Sequence, residues 1–153
     1  MRSLSNAHDR ESILRRIGAL QPTSPRQWGH MTVNQMICHL NDSFNVGLGE
    51  RACSNATGPV QRTLVKWIAL WAPIPWPKGL PTRPEIEQGA GGTPPVEFER
   101  DRAELIELVE RLCEFCNAPK RARVHPIFGE FREDEWLRWG YLHADHHLRQ
   151  FGA

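Results

Sequence analysis

A chain of 153 residues, with nineteen Lys and Arg against eighteen Asp and Glu, carries a formal charge of +1. That length suits one compact domain, residues 1–153, around a single core, and the near balance of charge removes the electrostatic argument for nucleic acid or an anionic membrane as partner. The longest apolar run, Trp67 to Ile74, is too short to span a bilayer, and MRSLSNAHDRESILRR lacks the apolar stretch of a secretion signal, so a cytoplasmic protein is expected.

The first predicted helix runs from about Asn6 to Leu20, where Ile13, Leu14, Ile17 and Leu20 form one apolar stripe. It stops before QPTSP. The second begins at a capping box, Thr32 with Gln35, with Met31 and Met36 placed as a hydrophobic staple, and reaches about Gly47. A long connection follows. Its first part, VQRTLVKWIALW, fits a short helix with Leu64, Trp67, Ile68 and Trp71 on one side. From Ala72 to Pro95, seven prolines and four glycines exclude regular structure. A loop of that length carrying Trp71 and Trp76 is expected either to lie as a lid over the end of the core or to form the wall of a pocket.

The third predicted helix, roughly Val96 to Cys116, repeats apolar residues at Phe98, Leu105, Val109, Leu112 and Cys116, the spacing of a bundle seam. The fourth starts at about Glu133 and carries YLHADHHLRQFG. Nothing reads as alternating strands. The expected fold is therefore all-α, an antiparallel four-helix bundle with a long Pro/Gly-rich crossover between helices two and three.

Chemistry concentrates in the histidines. On a helix, residues four apart differ by about 40° of rotation, so His143 and His147 share a face and can offer nitrogens to one ion. Trp136, Gly140, Ala144, Leu148 and Phe151 mark the apolar side, with His147 inside its edge, His143 at it, and His146 roughly 60° further toward solvent. An H-x-x-x-H pair alone leaves two readings open, because histidine near a helix C-terminus is also favoured by the dipole. His39 supplies a candidate third ligand. It lies just off the apolar arc of helix two (Met36, Leu40, Val33, Phe44, Ile37), as His143 does on helix four, and three neutral imidazoles with an open position suit zinc, nickel or iron.

Other candidates divide differently. Asp42 and Gln150 are placed to support the site, Asp42 by orienting an imidazole and Gln150 by bonding a ligand or water, against a plain capping or solvated role. His8, His30 and His125 read as structural or surface residues, and Trp28 and Trp136 as core. The four cysteines, Cys38, Cys53, Cys113 and Cys116, read as thiols rather than a disulfide framework. Cys113-Glu-Phe-Cys116 sits within a helical period with no second pair to complete a zinc site, and Cys38 points about 100° away from His39.

WGHMTVNQMICHL at Trp28 to Leu40, with HPIFGEFREDEWLRWGYLHADHHLRQFG at His125 to Gly152, resembles the DinB/YfiT-like superfamily of metal-dependent proteins. More narrowly it resembles a branch whose members end in an HHLRQFG-like segment, with PTRPE in the loop as a weaker match. The resemblance implies a four-helix bundle in which His39, His143 and His147 hold a divalent metal. One departure is Arg132, where relatives tend to place Ser or Thr; the lost N-cap is worth about 1 kcal/mol, partly offset by Glu133, Asp134 and Glu135. The resemblance further implies a metal-dependent enzyme acting on a small molecule, either a thiol S-transferase using a low-molecular-weight thiol or a hydrolase, with no protein nucleophile and no assigned general base. The alternative is a non-catalytic metal- or small-ligand-binding protein, a homodimer through the Trp-rich Leu64 to Trp76 region. A bundle without metal is the third reading.

Overall fold

Asn6 starts the first helix of the computed structural model, which describes residues 1–117 and 123–153. Its side-chain oxygen accepts from the Asp9 N–H, and α1 then runs over Ala7–Ala19, burying Ile13 and Ile17, with Leu20 buried at its end. Helix α2, Val33–Leu48, opens on the expected reciprocal cap: Thr32 Oγ1 accepts from Gln35 N–H, and Gln35 Oε1 accepts from Thr32 N–H. It ends one residue beyond expectation because Gly49, at φ 77°, takes the left-handed C-cap conformation that a side chain would resist.

The connection holds a π-helical turn, Gln61–Val65, continuous with α3, Lys66–Trp71. The short helix is present, and of its apolar side Trp71 packs against the core. Leu64 and Trp67 remain 58% and 57% exposed, and Leu70, on another side, is buried instead. Arg138 holds the end of this helix: its guanidinium donates to the Leu70 carbonyl and lies over the Trp71 ring, 5.0 Å from its centre.

Helix α4, Phe98–Asn117, buries Phe98, Leu105, Leu108, Val109, Leu112 and Cys113. The Cys116 side chain, expected on that seam, lies outside the described residues. The expectation of no strands is corrected by a hairpin, β1 Arg123–His125 and β2 Gly129–Phe131, antiparallel with His125 opposite Gly129. Three-residue strands are too short to show an alternating pattern. His125 holds the hairpin's turn, since its Nδ1 accepts from the N–H groups of Ile127 and Phe128 while its ring stacks on Phe128 and Phe131.

Helix α5, Glu133–Gln150, starts without a side-chain cap from Arg132, whose guanidinium has no acceptor and donates to Asp134 instead. Glu135 supplies the other half by accepting from the Arg132 N–H. The chain is mostly helical, and α1, α2, α4 and α5 share one hydrophobic core. No helix among the described residues is long and apolar enough to cross a membrane.

Gly140 marks the closest approach within that core. A Cβ there would lie 2.9 Å from Leu4, 3.0 Å from Leu112 and 3.3 Å from Phe44, side chains from the N-terminal segment, α4 and α2. Gly140→Val should therefore destabilise the fold by about 1–3 kcal/mol through overpacking, read as a lowered urea midpoint with unchanged slope. A midpoint equal to that of the parent protein would show that the packing here is loose.

Candidate metal centre

His39 stands on α2 at the edge of its buried arc, where its Nδ1 lies 2.9 Å from the Ile86 carbonyl oxygen. A carbonyl can only accept, so Nδ1 carries the proton and Nε2 keeps its lone pair. Ile86 ends the single turn Pro84–Ile86, deep in the Pro/Gly-rich insert. The insert thus fixes the tautomer of a histidine on α2.

His147 on α5 is fixed in the same way. Its Nδ1 lies 3.0 Å from Gln150 Oε1, and the Gln150 amide nitrogen donates to the Trp28 carbonyl at 2.8 Å. That second bond settles which end of the amide faces the imidazole, so Nδ1 is again the donor and Nε2 the free acceptor. The approach of Trp28 requires Gly29, at φ 81°, because a Cβ there would fall 2.4 Å from the Gln150 amide nitrogen. Gln150 therefore orients an imidazole, and the glycine of the sequence WGHMT leaves room for it to do so.

His143 completes the group. One ring nitrogen from each of His39, His143 and His147 lies within 4.8 Å of the other two. The ring centres are 4.8–5.3 Å apart, and Trp139 supports His143 from the other side at 4.9 Å. All three residues are buried, yet His143 Nδ1 has no hydrogen-bond partner among the described residues. The three side chains singled out in the sequence are brought together from two helices.

His146 departs from expectation. Placed toward solvent by helical rotation, it is only 7% exposed, because Trp76 of the insert and Trp28 close over it, each with its ring centre 6.0 Å away. Trp76 also covers His143 at 5.9 Å, its indole N–H held by the Ala69 carbonyl. Part of the insert is thus a cover for the histidines. Trp28 is half-buried and belongs to this cover rather than to the core, whereas Trp136 is core as read.

Asp42 does not bond an imidazole. Its carboxylate accepts from Thr93 N–H and Oγ1–H and pairs with Arg51 at 2.8 Å, which ties α2 to the insert. Cys38 and Cys53 are free thiols; Cys38 is buried against Asp101, and burial pushes its pKa up to about 12. His8 and His30 are exposed, and His125 is buried in its hairpin. The Ile86 carbonyl could not have been singled out in advance, because every residue carries one. Trp76 had a signal, an aromatic residue stranded among prolines.

Burial lowers the pKa of His39, His143 and His147, with mutual repulsion adding to the effect at His143 and His147. It takes His125 down to about 3, helped by Lys66. All four are then neutral at pH 7, the form in which imidazole binds metals. In the unfolded chain each protonates near pH 6.5, so as pH falls below that value the unfolded state gains protons before the folded one. Metal-free protein should keep full stability above about pH 6.5 and lose it progressively toward pH 4, seen as a falling urea midpoint. His125→Phe should flatten part of that slope; an unaltered slope would remove His125 from the account.

A family model described as "Protein of unknown function (DUF1569)" matches residues 1–153. No curated protein and no solved structure matches the chain. With the match running over the whole length, the chain belongs to the DUF1569 family.

Proposed function

We propose that His39, His143 and His147 hold one divalent metal ion, zinc, nickel or iron, and that the protein is a metal-dependent enzyme of thiol S-transferase or hydrolase type acting on a small molecule in the cytoplasm. The observation that carries this is the protonation pattern. His39 and His147 are each committed to donating from Nδ1, to a carbonyl and to an amide oxygen, so each keeps an Nε2 lone pair, and His143 has a buried nitrogen with no partner. An unpaired buried polar nitrogen costs about 1–3 kcal/mol, which ligation would recover. A metal held by three imidazoles supplies Lewis acidity, polarising a substrate oxygen or lowering the pKa of a water or low-molecular-weight thiol at the open position.

The chain's own contribution is orientation and exclusion of water. The Ile86 carbonyl and Gln150 fix two imidazoles, Trp139 backs the third, and Trp76 covers two histidines. Four long helices around one core, with one histidine on the second and an H-x-x-x-H pair on the last, also support the four-helix-bundle and DinB/YfiT-like reading. A second reading, a non-catalytic metal- or small-ligand-binding homodimer, is favoured by one observation: Leu64, Trp67 and Ile68 present an exposed apolar face.

Elemental analysis of native protein should find one divalent ion per chain, and the triple change of His39, His143 and His147 to Ala should abolish it. A metal-free native protein whose titrated zinc binding survives the triple change overturns the proposal. A metal-loaded protein negative in thiol-transfer and hydrolase screens favours the binding protein. Gln150→Leu, which frees His147 Nδ1, should weaken zinc binding by about 10–100-fold, measured by competition with a chromophoric chelator. Unchanged affinity would show that Gln150 does not position the ligand.

A further inference from the structure

His146 is left over by the site just described. It lies one residue before His147, with ring centres 5.2 Å apart, yet its Nδ1 is buried and has no hydrogen-bond partner among the described residues. The neighbouring carboxylate does not serve it, because Asp145 is taken by Arg16 at 2.8 Å and by Arg149 at 3.0 Å. Two indoles flank the ring, Trp28 edge-on and Trp76 tilted over it. On the face of Trp28 sits the Lys78 ammonium, 4.6 Å from the ring centre, two residues beyond Trp76 on the same Pro-rich segment.

Lys66 provides the contrast that makes Lys78 informative. Its ammonium also sits over an aromatic ring, Phe131, but it is consumed by Glu135 at 2.9 Å and the Glu130 carbonyl at 2.8 Å. Lys78 has no ion pair among the described residues. An unneutralised cation and an unpaired buried nitrogen thus border the same indole, beside the three-imidazole cluster.

We propose that His146 and Lys78, together with the Trp28 and Trp76 indoles that they border, form a subsite for the carboxylate end of a small substrate that carries a flat apolar group. Its use in catalysis rests on the metal-centre reading above. One point charge and one imidazole suit a monoanion. Multiply charged phosphate is disfavoured, because the subsite offers a single ammonium and the nearby Arg149 guanidinium is engaged by Asp145 at 3.0 Å. The two indoles provide the surface on which an aromatic ring stacks.

The test is calorimetric titration of the full chain, zinc-loaded and zinc-stripped, with benzoate, its neutral isostere benzamide, and inorganic phosphate. Benzoate should bind at least about tenfold tighter than benzamide, and the preference should persist without zinc, where no ion can hold the carboxylate. Lys78→Gln, on the surface, should abolish the preference. His146→Leu should weaken benzoate by at least about fivefold with zinc stoichiometry unchanged. Equal binding of benzamide, tighter binding of phosphate, indifference to Lys78→Gln, or no saturable benzoate binding by about 10 mM would each overturn the subsite. Native protein lacking stoichiometric metal but keeping the benzoate preference would fail the metal centre and leave the subsite standing.

Discussion

A buried imidazole must place the hydrogen on one nitrogen and find a use for the lone pair on the other, and that constraint organises the space between α2 and α5. Each unmet group costs about 1–3 kcal/mol. Burying a cluster of histidines without partners would consume a sizeable share of the 5–15 kcal/mol by which a domain of this kind is stable. His39 and His147 meet the donor half of the requirement through oxygens that lie outside the cluster, and each keeps an Nε2 lone pair to place. The geometry of the cluster therefore follows from hydrogen-bond satisfaction at its periphery, before any ion is considered.

The periphery in turn explains the insert. A segment rich in proline cannot sustain a sheet or a long helix, but it can carry a carbonyl to a chosen point at little entropic cost, because its unfolded state is already restricted. Arg51 holds it in place, bridging Asp42 of α2 to the Glu85 and Gly91 carbonyls and to Thr93. Asp42 receives two further bonds from Thr93. The buried carboxylate is thus neutralised by a guanidinium and two donors, the condition under which a charge tolerates burial. Its role is to seat the strap that fixes His39, one step further from the cluster than an orienting bond would be.

Much of this was legible in sequence. The capping box at Thr32, the stripe on α1 and the shared edge positions of His39 and His143 are consequences of local geometry, and local geometry is what periodicity reports. What failed has a common cause. His146 was placed toward solvent because rotation about α5 says nothing of an insert more than fifty residues upstream that folds back over it. Spacing put Leu64, Trp67, Ile68 and Trp71 on one side of α3 but identifies no neighbour for it: Trp71 packs against the core beside Arg138, while Leu64 and Trp67 stay exposed. The hairpin at 123–131 offers three residues per strand, too few for a period of two to stand out. The oxygen on His39 is a main-chain atom and leaves no residue-type signature at all.

The site is asymmetric in rigidity. Beneath His143 runs a continuous stack of rings: Trp139 meets Phe44, Trp136 and His125, and His125 meets Phe128 and Phe131. These rings belong to α2, α5 and the hairpin, elements locked by the common core, so the floor cannot shift without repacking that core. The roof is different. Trp76 packs against the edge of the core, but the rest of the segment that carries it and Lys78 is tied down mainly by main-chain and side-chain hydrogen bonds. Ligand orientation thus belongs to the floor and the helices, where small displacements are costly. In the roof, by contrast, sequence can change without disturbing the imidazoles; the exception is the Pro84–Ile86 turn, which carries the one carbonyl on which His39 depends.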